Sequence, residues 1–158
     1  MHSTDLLFYG HRSLMRGLDG IQPDAWQQDG VCGVWSVKDV MAHMASYERM
    51  LGEVLGTFLG HLEKPTWEIY QAGNGANDRE VEARLEHNQS QVLEEYEVAR
   101  NIVDERIQLI PQETMREAGT IPWYGDKFDL EDYVIYVGYG HKREHAAQFN
   151  VYKDSLKG

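Results

Sequence analysis

The sequence predicts an all-α protein, most simply a four-helix bundle. Four long segments carry apolar residues at helical spacing, three of them open on a capping residue, and no run alternates apolar and polar residues as a strand would. The first helix is expected from Thr4 to about Leu18, with Leu7, His11, Leu14 and Leu18 on one stripe and Ser3 or Thr4 as its cap. Residues 21–35 contain Pro23, Gly30 and Gly33 and read as an ordered loop. Ser36 then starts the second helix, with Asp39 in place to complete a capping box, and Val40, Met44, Tyr47, Leu51, Val54, Leu55 and Phe58 carry its apolar face to about Leu62. Pro65 and Gly73-Asn74-Gly75 predict a loop. The third helix is expected from about Asp78 to Ile110, its stripe broken at Asn88 and Gln89. Pro111 ends it, the stretch to Phe128 holds at most a short helix, and Asp129 caps a last helix running to about Lys153. The loops after the second and third helices are long enough for a crossover, so sequence neighbours need not be antiparallel throughout.

At 158 residues the chain fits a single domain over 1–158. Acidic residues outnumber basic ones 26 to 15, for a formal charge of −11, which repels nucleic-acid phosphates and anionic lipid headgroups. No stretch has the length and apolarity of a bilayer span, and the N-terminus lacks the basic and apolar segments of a secretion signal, so a cytoplasmic protein is expected. Cys32 is the only cysteine, which excludes an internal disulfide and a thiolate zinc cluster. It reads as plain packing beside a Gly-Val-Trp turn or, with nothing near it in sequence to activate the thiol, as a nucleophile.

Metal chemistry would therefore rest on histidine or carboxylate. His141 and His145 stand four residues apart on one face of the last helix, in line with Val134, Gly138, Gln148 and Tyr152. Alone, such a pair reads first as part of the solvated stretch Lys142-Arg143-Glu144, since His pairs at this spacing arise readily by chance. His43 lies on the Val40–Tyr47–Met50 face of the second helix, which points to the core, where an unpartnered ring would lose solvation. It is either a buried neutral histidine satisfied by a hydroxyl or carbonyl, or the third nitrogen of a metal site with an open position. His2, His61 and His87 take structural readings, His87 as a solvated residue, and His11 in the first helix's stripe calls for a core hydrogen bond or a subunit interface. Four residues are candidate pocket walls: Tyr47 one turn beyond His43, Trp123 and Tyr124 in the loop before the last helix, and Asn88 where the third stripe breaks. Trp123 and Tyr124 read as a cover for the metal or as a core plug, Asn88 as an amide toward ligand or as a phase slip.

The stretch Trp35-Ser36-Val37-Lys38-Asp39-Val40-Met41-Ala42-His43-Met44, followed by Glu48, resembles the second-helix signature of the DinB/YfiT-like superfamily. His141-Lys142-Arg143-Glu144-His145-Ala146-Ala147-Gln148 resembles its last-helix motif, and the separation of the two fits as well. The resemblance covers essentially the whole chain. It implies a four-helix bundle of up-down-down-up topology, often a homodimer, with a divalent ion, nickel or zinc, held by His43, His141 and His145. It further implies a thiol-dependent S-transferase or isomerase using a small thiol such as bacillithiol or mycothiol against small electrophiles. Tyr47 departs from the pattern, since relatives often carry Trp there. Two other readings remain at this point: metal-assisted hydrolysis, which needs a general base that Glu144 is poorly placed to be, and a bundle that binds a metal or small ligand without turnover.

Overall fold

The computed structural model describes residues 2–158, and the fold is all-helical, with no strand among the described residues. Helix α1 spans Ser3–Leu18, α2 Val37–Thr57, α3 Pro65–Gln71, α4 Ala76–Glu82, α5 Gln89–Leu109, α6 Gln112–Met115, α7 Leu130–Val134 and α8 His141–Lys157. A 3₁₀ turn covers Pro23–Gln27, and a π-helical turn, Ile135–Gly140, joins α7 to α8 without a break.

Two of the three expected starts are as read: Ser36 with Asp39 and Asp129 both cap through their side chains. The first helix differs. His2, not Ser3 or Thr4, is its cap, with His2 Nδ1 accepting from Thr4 N at 3.3 Å and Asp5 Oδ2 accepting from His2 N at 3.2 Å. Helix α2 stops at Thr57, short of the expected Leu62, because Gly60 takes φ 87° and turns the chain, with His61 N donating back to Gly56 O at 2.9 Å. Pro65 begins a short helix rather than a loop. It occupies the first turn, where its missing N–H costs nothing, and the Glu53 carboxylate accepts from Thr66 N and Trp67 N at 3.1 and 2.8 Å.

The single third helix expected over Asp78–Ile110 is two helices. Asn88 is where α5 begins: its Oδ1 accepts from Gln91 N at 2.9 Å, and Gln91 Oε1 accepts from Asn88 N at 2.8 Å. The break in the apolar stripe is therefore a capping box, and the Asn88 amide is committed to it on an exposed residue. His87, expected in solvent, is half-buried, and its carbonyl accepts from Lys38 Nζ at 2.7 Å.

The long helices α1, α2, α5 and α8 enclose the core. Leu7, Leu51, Leu55, Val103, Val134 and Val137 fill one end, and Leu14, Val37, Met41, Met44, Val92 and Phe149 the other. Along α2 and α5 the contacts advance together, from Lys38 at the Leu85 and His87 carbonyls to Gly52 against Ile102 and Val103. Along α1 and the run from the π turn into α8 they also advance together: Gly10 lies against the Gly138 carbonyl, and Gly17 against Ala146. Helices α2 and α8 instead pair head to tail, Glu48 with Lys142 and His43 with His145.

The Gly10–Gly138 approach leaves no room for a side chain, since a Cβ on Gly10 would overlap the Gly138 carbonyl oxygen. Gly10→Ala is accordingly expected to lower stability by about 1–3 kcal/mol through overpacking, against the small gain that alanine brings to an unconstrained helix. Urea unfolding of the two chains measures it; equal midpoints would mean that α1 and the π turn are not in close contact.

His11 finds the core hydrogen bond that its stripe position called for, with Nδ1 3.0 Å from the Tyr96 hydroxyl. Burial, then the positive charges of Arg100 and Lys142, depress its pKa from 6.5 to about 4, against the opposing pull of Glu97. The folded chain thus prefers the neutral ring. Below pH 6.5 the unfolded chain binds the extra proton, so this contribution is complete above pH 6.5 and is lost as pH falls toward 4. Thermal melts of the metal-free protein across that window should show a smaller acid loss for His11→Gln than for the unaltered chain.

Candidate metal centre

Ser36 and Asp39 set the phase of α2 so that His43 faces inward, 4% exposed. The opposing rings come from the first turns of α8, where residues 141 and 145 share one face. The π turn directly before them alters the number of residues per turn, so the face that α8 shows to α2 does not continue the phase set by the Asp129 cap. The three rings meet. His141 Nε2 lies 3.0 Å from His43 Nε2 and 3.0 Å from His145 Nε2, and one ligand atom from each ring falls within 4.8 Å of the others.

Two nitrogens bound to one cation at about 2.1 Å, at angles between octahedral and tetrahedral, stand about 3.0–3.4 Å apart. The observed separations fit that range. The protonation state fits too. Burial, then the neighbouring rings, lowers His43 to about 2; burial, then His145 and Lys142, lowers His141 to about 3; burial also lowers His145, against its bond to Gln148. At neutral pH all three are uncharged imidazoles, the form that binds a metal.

One tautomer is set by its partner. His145 Nδ1 donates to the Gln148 amide oxygen at 2.8 Å, which leaves the lone pair on Nε2, turned toward the other two rings. Removing that acceptor in Gln148→Ala is expected to weaken zinc binding about 10- to 100-fold while leaving the ligands in place. Competition with a chromophoric chelator reads the change, and an unaltered constant would sink the role given to Gln148.

Tyr47 stands where expected, its ring centroid 4.6 Å from His43 and 4.5 Å from His141. Trp123 and Tyr124 join an aromatic cluster: Trp123 packs on Trp67 and Tyr133 at 5.6 and 5.3 Å, and Tyr124 on Phe128 and Tyr133, both at 5.2 Å. Among the described residues no ring pair links either of them to a histidine; Trp123 is exposed, at 39%, and Tyr124 is half-buried against the core.

Two wall residues escaped the sequence reading. Trp35 lies 5.0 Å from His43, brought there by the backbone pairing of Cys32 with Trp35, and Tyr70 of α3 lies 4.9 Å from Tyr47. Trp35 was visible as part of the second-helix motif, but nothing local to Tyr70 signals that α3 folds over α2. Cys32 packs among the apolar residues around Trp26 and Val37.

Helices enclosing three converging neutral histidines define the class: an all-helical protein whose histidine cluster could hold a metal ion. The family model for the mycothiol maleylpyruvate isomerase N-terminal domain matches residues 8–124, and the chain belongs to that family, a member of the DinB-like superfamily. The matched stretch includes His43 and Tyr47, while His141 and His145 lie beyond it. Neither a curated protein nor a solved structure matches the chain. Among the described residues, no helix is long and apolar enough to cross a membrane.

Proposed function

We propose that the chain is a single DinB-like domain over 1–158, a bundle of up-down-down-up sense, that binds zinc or nickel through His43, His141 and His145 and transfers a small thiol to small electrophiles. The observation that carries this reading is the convergence of three neutral Nε2 atoms from two helices at 3.0 Å spacings. The helix contacts support the topology, since α1 and α8 advance together, α2 and α5 advance together, and α2 opposes α8. The family's tie to mycothiol supports a low-molecular-weight thiol as cosubstrate.

When bound, a divalent ion would supply positive charge that lowers the thiol's pKa into the neutral range. The chain's own part is to hold the ring nitrogens unprotonated and aimed, through burial of His43 and His141 and through the Gln148 bond to His145. Trp35 and Tyr47 flank His43 and limit water around it. The thiol proton passes to solvent, the sulfur forms a bond to the electrophilic carbon, and the electrophile's leaving group departs with its electron pair. No protein cysteine is needed, in keeping with a lone Cys32 partly buried against the core.

Hydrolysis finds less support. Glu144 is exposed, and the Glu48 carboxylate is held by Lys142, so neither offers a free base beside the histidines. The test is turnover by zinc- or nickel-loaded protein supplied with mycothiol or bacillithiol and monochlorobimane. Conjugation that vanishes in His43→Ala supports the transferase, and no turnover with either thiol leaves a metal-binding bundle without this activity. Sedimentation at micromolar concentration tests the homodimer that the superfamily resemblance leads us to propose, and recovery in the soluble cytoplasmic fraction tests the location.

A further inference from the structure

Next to His141 in sequence begins a buried charge pair that the coordination chemistry does not use. Lys142 Nζ stands 2.9 Å from Glu48 Oε2 and 3.1 Å from Oε1, and both side chains are 1% exposed. The ammonium also lies 5.5 Å from the centre of the Tyr96 ring, whose hydroxyl meets His11. Helices α1, α2, α5 and α8 therefore all contribute to one polar cluster in the bundle interior. Its two charged members flank the ligands in sequence: Lys142 follows His141 directly, and Glu48 stands five residues after His43.

A buried ion pair is a poor source of stability, because desolvation of two charges offsets their attraction, and apolar residues of similar volume commonly hold helices together as well or better. What it supplies is direction. Rotating α8 by one residue, about 100°, or sliding it by one turn, about 5.4 Å, would leave two charges unpaired in the core. Apolar side chains impose no such penalty, since their attraction is non-directional. An independent constraint on α8 matters here because the π turn at Ile135–Gly140 breaks the helical phase just before His141.

We propose that the Glu48–Lys142 ion pair is the positioning device of the three-histidine centre, holding α8 in the phase against α2 at which His141 and His145 meet His43. Glu48 and Lys142 are positioning residues; they act through the histidines and do not touch the ion. This rests on the metal reading above, so the unaltered chain is measured first, with zinc affinity by chelator competition and cobalt(II) visible absorption as the report of ligand geometry. Glu48→Met/Lys142→Met removes both charges while keeping the volume, and Lys142→Arg keeps the charge while displacing its nitrogens. Ile107→Ala, a core truncation in α5, serves as a control for lost stability alone.

Each of the two pair variants is expected to lose zinc affinity at least about tenfold and to alter the cobalt spectrum, an effect of the size seen when support for a metal ligand is removed. Ile107→Ala should unfold earlier yet bind as the unaltered chain does. Unchanged affinity and spectrum in whichever pair variant folds would overturn the positioning role and leave the metal reading intact. Failure of the unaltered chain to take up zinc or cobalt would overturn the metal reading, and the positioning role with it.

Discussion

His141→Ala is expected to reduce bound metal from one ion per chain to about half or less at zinc a hundred times the unaltered chain's dissociation constant. His141 is the middle ring: its Nε2 is 3.0 Å from each of the other two, so its loss removes one ligand and the neighbour that both remaining nitrogens share. Complete four-ligand zinc sites release about 10–16 kcal/mol on binding, so one ligand of such a set carries about 2.5–4 kcal/mol, roughly a hundredfold to a thousandfold change in affinity. The same loss is visible in stability. Zinc at a hundred times its dissociation constant adds about 2.7 kcal/mol to the folded state, which for a chain of this size raises Tm by about 5–11 °C. That rise should appear in the unaltered chain and in His87→Ala, and be largely absent in His141→Ala. Equal metal content in His141→Ala and the unaltered chain would defeat the assignment of the centre.

Lys142→Met should produce the largest loss of fold stability, about 3–5 kcal/mol and hence a fall in Tm of about 6–20 °C. The reason is the carboxylate left behind. Glu48 is 1% exposed and receives its charge-paired contact from Lys142, so the single substitution strands a charge in the core. Converting Glu48 to Met as well removes that charge and should restore most of the stability. The non-additivity of the three variants is the quantity to measure in a double-mutant cycle. Additive losses, with the double variant worse than either single, would show that the pair's strength comes from packing and not from charge.

Much of this protein was legible in its sequence, and for a local reason. Caps and apolar periodicity act over one or two turns, so Ser36 with Asp39, and Asp129, announced their helices, and the spacing of His141 and His145 placed two rings on one face. The inward phase of His43 followed from the stripe through Val40 and Tyr47. Asn88 shows where such reading fails, because an amide that interrupts an apolar stripe has the same local signature whether it caps a new helix or faces a ligand.

What sequence determined by itself was the all-helical class, the start of α2 and of the last helical run, and the identity of three imidazoles suited to a metal. Tertiary structure decided the rest. Lys142 reads as one more surface charge in Lys142-Arg143-Glu144, and only the approach of α2 buries it against Glu48. The π turn before α8 and the folding of Tyr70 over Tyr47 likewise answer to neighbours far away in the chain. Local propensity is a matter of a few tenths of a kcal/mol per residue, whereas burial and the pairing of buried charge are worth several, so contacts between distant segments chose which of the locally permitted arrangements formed.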